Sequence, residues 1–207
     1  MRCIGSASRA CLEGDTTCVM RPCIACGVWE ALRGVKMRVL IVYATRGGTA
    51  AKAASLLGSY FSDVKICNLE KTKPDPKFYD VIIFGSGIRF GTIYKPLMTW
   101  MDMYWDAVRP KLKGVFICNA LMNEAPKILR ENFSLELRNS CVIAESLGGE
   151  FDIETLTASE RVMLKLRKKE LVSGEVRDFV PCLQPDRIRA FAEAMLEAMD
   201  EKKIFDS

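Results

Sequence analysis

The chain has 207 residues, 49% of them hydrophobic and 27% charged, with a formal net charge of +4, which suits one soluble globular domain with a short appendage. It contains no histidine, which excludes a Ser-His-Asp triad, a Cys-His dyad and any histidine-ligated metal, and leaves catalysis to other side chains or to a cofactor. Its longest apolar runs, such as Val81 to Phe84, are far shorter than the roughly 18–20 residues of a membrane span. No apolar stretch follows Arg2 as a secretory leader requires, so the expected compartment is the cytoplasm.

Residues 1–36 carry no hydrophobic period and hold five of the nine cysteines: Cys3, Cys11, Cys18, Cys23 and Cys26. Cys18, Cys23 and Cys26 form C-x4-C-x2-C, a spacing found in plant-type iron–sulfur proteins. Spacing over so short a tract gives many false matches. The tract is therefore read as an unstructured or mis-assigned extension, with no metal assigned, and the domain is expected to run over residues 37–207. The remaining thiols are Cys67, Cys118, Cys141 and Cys182, the first three in apolar, strand-like surroundings typical of buried free cysteines.

From Met37 the pattern alternates. Met37–Tyr43 predicts a strand, Thr49–Phe61 an amphipathic helix and Val64–Cys67 a short strand. Leu69–Tyr79, with Pro74 and Pro76, reads as a polar loop. Val81–Phe84 is a third strand and Ile93–Ala107 a helix rich in Trp, Met and Tyr. Val115–Cys118 and Val142–Ala144 complete five strands. Helices are expected near Ala125–Leu137, near Ala158–Leu171 and after Pro185, where Ile188, Phe191, Ala192, Met195, Leu196 and Met199 form one stripe.

Strands apolar on both faces, alternating with helices, predict an α/β fold: a five-stranded parallel sheet between two helical layers, in the order 2-1-3-4-5. Ligands in such sheets bind at the carboxyl ends of strands 1 and 3, where the winding reverses. Two loops meet that expectation. Thr45-Arg46-Gly47-Gly48-Thr49-Ala50 joins a strand to a helix through glycines and directs backbone N–H groups and a helix dipole at one point, which suits a phosphate. It is neither a P-loop nor a dinucleotide G-x-G-x-x-G, and an ordinary glycine-rich turn is the alternative. Gly85-Ser86-Gly87-Ile88-Arg89-Phe90-Gly91-Thr92-Ile93-Tyr94 has small residues at the strand exit, which allow a flat ring close to the backbone, then an arginine and an aromatic; Phe90 and Tyr94 are the residues that could stack on such a ring. The alternative is a tight turn with Phe90 in the core.

Tyr43-Ala44-Thr45-Arg46-Gly47-Gly48-Thr49 resembles the phosphate loop of flavodoxins. Tyr79 to Gly91, above all Ile88-Arg89-Phe90-Gly91, is similar to bacterial menaquinone-dependent protoporphyrinogen oxidase, a flavodoxin-like enzyme. The likeness continues weakly through Phe116–Leu121, Cys141–Gly149 and Glu160–Leu166. It implies a flavodoxin-like three-layer fold holding FMN. Thr45 to Ala50 would hold the phosphate, Ser86, Gly87, Ile88, Arg89, Phe90 and Gly91 one side of the isoalloxazine ring, and Asn119, Ala120 and Leu121 the other. Thr45 matches the family, whereas Gly47 and Ala50 stand where two more hydroxyl residues are usual, with Thr49 and the charge of Arg46 nearby. The stretch between Leu121 and Cys141 is shorter than the insertion in the protoporphyrinogen enzyme.

The implied function is an FMN-dependent oxidoreductase of the protoporphyrinogen type. The alternatives are a non-enzymatic electron carrier between partner proteins and a flavodoxin-shaped interaction module without cofactor. The expected partner is a redox protein or a small reduced substrate, not nucleic acid. Flavodoxin carriers are typically acidic, whereas residues 37–207 here carry a formal +2. The basic run Arg161, Lys165, Arg167, Lys168, Lys169 reads first as a solvated helix face and second as a surface for peripheral contact with an anionic membrane.

Overall fold

A computed structural model of the chain describes residues 37–120, 122–149 and 182–206, all within the compact unit Val35–Ser207. The five apolar runs form the parallel strands β1 (Val39–Ala44), β2 (Val64–Asn68), β3 (Val81–Arg89), β5 (Leu112–Cys118) and β6 (Ile143–Ser146). Between β3 and β5 lies a two-residue antiparallel strand, β4 (Thr92–Ile93), paired to β3. The parallel strands lie in the order β2-β1-β3-β5-β6, which is the expected 2-1-3-4-5 order with one short hairpin strand added.

Burial on both faces explains why these strands read as continuous hydrophobic runs. On one face Leu40, Val42, Ile82, Phe84, Val115 and Ile117 pack beneath α2 (Lys95–Val108), α3 (Ala125–Asn132) and α4 (Leu135–Ser140). On the other, Val39, Ile41, Val81, Ile83 and Phe116 pack beneath α1 (Thr49–Gly58) and α5 (Pro185–Asp206), whose Phe191, Ala192 and Met195 are fully buried. Phe116 meets Phe191 edge to face, with ring centroids 6.3 Å apart. Phe116 also lies over Gly85 of the neighbouring strand, where an added Cβ would come within 2.1 Å of the ring. Gly85 is thus required by packing rather than by a turn.

Several element boundaries depart from the expectation, and four of these departures bear on local chemistry or on the site. Helix α1 stops at Gly58 rather than Phe61. Gly58 has low helix propensity, Ser59 turns its hydroxyl onto the Leu56 carbonyl at 2.7 Å, and the chain closes through tighter i→i+3 bonds. The stretch predicted as one helix over 125–137 is two, because Phe133 is extended and Ser134 caps α4 through the Leu137 N–H at 3.2 Å. The polar connection from β2 to β3 contains a short 3₁₀ turn at Pro76–Phe78, capped by the Asp75 side chain. It has no α-helix and is tied down by Trp100, whose indole N–H donates to the Pro74 carbonyl at 3.0 Å. The fourth departure, at β3, concerns the site and is treated below. The helix expected near Ala158–Leu171, the basic run 161–169 and the cysteine-rich tract 1–36 lie outside the described residues.

Among the described residues no helix is long and apolar enough to cross a membrane. Cys67, Cys118, Cys141 and Cys182 are free thiols. Burial pushes the Cys141 thiol up to about 11, which keeps it protonated and unreactive near neutral pH.

One buried charge helps hold the amino end of the sheet. Lys113 of β5 is only 2% exposed, and its Nζ donates to the carbonyls of Arg109 and Lys111, each at 2.8 Å. It thereby caps the carbonyl end of α2. Lys113→Met should lower unfolding stability by about 1–3 kcal/mol, because those carbonyls lose their partner. Urea denaturation checks this, and an unchanged midpoint would show that water serves them equally well.

Candidate functional site

The winding reverses between β1 and β3. They pair up to the end of β1, Tyr43 opposite Gly85 and Ala44 opposite Ser86, so the loop that leaves β1 starts beside Ser86 and Gly87 of β3. A crevice at this point is the ligand position of open α/β sheets.

On the β1 side the chain leaves Ala44 through Thr45, Arg46, Gly47 and Gly48 and enters α1 at Thr49. Gly48 is the N-cap residue, with φ at 82°, a left-handed conformation that favours glycine. No side chain caps the helix, and its first turn has no acid. A Cβ built on Gly47 or Gly48 meets nothing within 4 Å. Thr45 and Thr49 are buried at the base of the loop, and Arg46 is exposed. The start of α1 carries the positive end of the helix dipole, and the loop before it offers two glycines with open space at their Cβ positions and two hydroxyl residues, a composition suited to an anion. Ala50 is fully buried and faces the core rather than that space.

On the β3 side the structure corrects the expected loop. Ser86, Gly87, Ile88 and Arg89 are strand, and only Phe90 and Gly91 form a turn before β4 brings the chain back. Both turn residues have positive φ, 52° and 78°. Such two-residue turns match the right-handed twist of the flanking strands, which is why the segment continues as a hairpin instead of a loop. Phe90 is not in the core: it is 57% exposed at the hairpin tip. The Arg89 guanidinium carbon lies 5.5 Å from the centroid of its ring. Ser86 is fully buried, its hydroxyl donating to the Gly87 carbonyl at 2.7 Å and accepting from the Tyr94 N–H at 3.1 Å. Its role in this geometry is to hold the root of the hairpin.

Gly87 joins the two sides. A Cβ there would lie 3.3 Å from the Tyr94 ring and 3.4 Å from the Thr45 hydroxyl oxygen. The segments expected to share a ligand are thus brought together at Thr45, Gly87 and Tyr94.

The third wall follows β5. Asn119 is buried and accepts a hydrogen bond from Ser146 at 2.6 Å. Ala120 is buried beside it, and Leu121 lies outside the described residues. The Ser146 hydroxyl also accepts from the Gly148 N–H at 3.3 Å, and a Cβ on Gly149 would come within 2.6 Å of the Asn119 backbone. The end of β6 therefore fixes the loop after β5. Ser146 and Gly149 were not singled out from the sequence, and the Ser-Leu-Gly-Gly ending of that strand is the signal that marks them.

The strand order, with helices on both faces and the winding reversed between β1 and β3, defines a doubly wound α/β protein, a class in which ligands bind at the switch point. The family model described as a flavodoxin domain matches residues 40–175, and the chain belongs to that family. The fold is shared with the rubredoxin oxygen:oxidoreductase of Desulfovibrio gigas, at 16% identity and a TM-score of 0.50, over 80% of this chain and 36% of that one. It is shared equally with the Flv1 flavodiiron core of Synechocystis sp. PCC6803, at 15% identity and a TM-score of 0.50, over 84% of this chain and 38% of that one. The chain thus spans little more than a third of the length of either. A flavodoxin from the domain Archaea is similar at 22% identity and a TM-score of 0.43, over 64% of this chain and 98% of that one. No curated protein matches the sequence.

Phe90 provides a test of the site's geometry. A bulky residue in the left-handed region costs roughly 1–2 kcal/mol, and asparagine before glycine is the favoured pair in such a turn. Phe90→Asn should therefore raise unfolding stability by about 1 kcal/mol, read by urea denaturation. A loss of stability would mean that the ring packs against the protein, contrary to its exposure.

Proposed function

We propose that the chain binds FMN at the carboxyl ends of β1, β3 and β5 and passes electrons through it. The observation that carries this reading is the loop Thr45–Thr49, which brings two threonines, two glycines with open space at their Cβ positions and a helix start without a side-chain cap bond into five residues. That donor set fits a phosphate monoester, and membership of the flavodoxin-domain family supports FMN as the group that carries it. Bound FMN supplies reversible one- and two-electron chemistry at its ring. We assign Thr45, Arg46, Gly47, Gly48 and Thr49 to the phosphate. Gly87, Ile88, Arg89, Phe90 and Gly91 are assigned to one side of the ring, and Asn119, Ala120 and Leu121 to the other. Ala50 and Ser86 support these loops from beneath.

Within that reading we propose an oxidoreductase that takes electrons from a small reduced substrate, of the protoporphyrinogen type. Its support is the segment Ile88-Arg89-Phe90-Gly91, which ends in a cationic and an exposed aromatic side chain at the hairpin tip. Arg89 is suited to orienting an anionic substrate, Phe90 to stacking on a flat one. No side-chain base is required of a chain without histidine.

The test is a visible spectrum of the FMN-loaded protein before and after anaerobic addition of protoporphyrinogen. Bleaching of the flavin bands that is lost in Arg89→Gln supports this substrate class. Bands that persist with protoporphyrinogen but bleach with dithionite contradict it and favour an electron carrier between proteins.

A further inference from the structure

The hairpin that carries Arg89 and Phe90 extends beyond the parallel sheet, and β4 has only two residues to hold it. One edge of β4 is paired to β3 through Ile88 with Ile93 and Arg89 with Thr92, and the Thr92 hydroxyl donates to the Arg89 carbonyl at 2.8 Å. Among the described residues the other edge pairs with no strand. Asn132, the last residue of α3, occupies it. Its side-chain amide donates to the Gly91 carbonyl at 2.8 Å and its oxygen accepts from the Ile93 N–H at 2.9 Å. The same NH₂ donates to the Ile128 carbonyl at 2.8 Å, which fixes the amide's orientation from within α3.

This pattern has a specific meaning. In a parallel ladder one residue donates to the carbonyl before its partner and accepts from the N–H after it. The Asn132 amide does both around Thr92, so it stands in for a missing neighbouring strand. A two-residue strand with one paired edge is weakly held, and a turn with Phe90 in the left-handed region is strained. The amide satisfies both ends of the exposed edge at once.

We propose that Asn132 is a positioning residue for the flavin site: by acting as a substitute strand edge it locks the Phe90–Gly91 turn, and so fixes Arg89 and Phe90 against the ring. This rests on the FMN reading above. Asn132 lies 41 positions from Gly91, and its side-chain hydrogen bonds go to Gly91, Ile93 and Ile128, none of them in the phosphate loop. These bonds act on the site through the hairpin. Backbone groups at the ring edge set the relative stability of the oxidised and reduced flavin, so a turn released from its clamp shifts the potential as well as the affinity.

The experiment compares wild-type protein with Asn132→Ala and Asn132→Asp. Three quantities are read: hydrogen exchange of the Ile93 amide, the FMN dissociation constant, and the midpoint potential of bound FMN. In Asn132→Ala the Ile93 amide should exchange at least about tenfold faster, as expected for a lost bond of roughly 1.4 kcal/mol. FMN affinity should fall by a similar factor and the potential should move. Asn132→Asp keeps an oxygen for the Ile93 N–H but has no N–H for Gly91. It should therefore keep Ile93 protected while reproducing the shift in potential.

A merely structural role would lower global stability and leave the potential of the bound flavin unchanged, which would overturn the proposal. Unchanged Ile93 exchange in Asn132→Ala would overturn the clamp itself, with or without flavin. Failure of the underlying FMN reading shows separately, as wild-type protein that takes up no flavin.

Discussion

The candidate site depends on the in-register pairing of β1 with β3. Because Ala44 lies opposite Ser86, the glycine-rich loop leaves β1 beside the residues from which β3 extends into its hairpin. The chain then turns to α1 on one face from β1 and to α2 on the other from β3. The crevice is what remains between them. A one-residue slip in this pairing would exchange the two faces of β3. Ile82 and Phe84 would leave one core and Val81 and Ile83 the other, so the burial of both faces fixes the register. The same apolar runs that make the core therefore place the loops. Gly87, between the Thr45 hydroxyl and the Tyr94 ring, shows how closely the two sides then approach.

Around that fixed frame the site is held by polar groups brought in from elements distant in sequence. Ser146 holds Asn119, Ser86 holds Tyr94 just after β4, and Asn132 holds the outer edge of β4. These bonds restrain segments that project beyond the sheet, where hydrophobic packing no longer constrains them. The hairpin shows the balance most clearly. An exposed phenylalanine sits where the turn favours asparagine, a local conflict of the kind found at functional sites, where strain is retained because the side chain serves another purpose.

Much of the fold was legible in the sequence because it rests on hydrophobic runs of strand length. The five parallel strands, their order and the glycine-rich turn after the first of them all follow from runs such as Val81 to Phe84 and from Gly47 and Gly48 at the first strand exit. The helix boundaries that differed were decided by local bonds of single serine hydroxyls, which leave the hydrophobic period unchanged. Ser134 ends one helix and starts another, and Ser59 tightens the end of α1. The continuation of β3 to Arg89 was hidden because Gly85 and Gly87 read as loop residues. They are strand positions kept small for the Phe116 ring and the Tyr94 ring. Asn132 carried no signal at all, since a lone asparagine at the end of a helix acquires its role only when β4 lies against it.

The central claim is that the loop from Thr45 to Thr49 anchors a flavin through its phosphate. Parallel titrations of the flavin-free protein with FMN and with riboflavin, followed by flavin fluorescence, test it most directly. The account predicts one FMN bound per chain and at least about a tenfold weaker response to riboflavin, the difference of roughly 1.4 kcal/mol or more that the phosphate contributes. Equal affinity for the two flavins, or no binding of either, would contradict it.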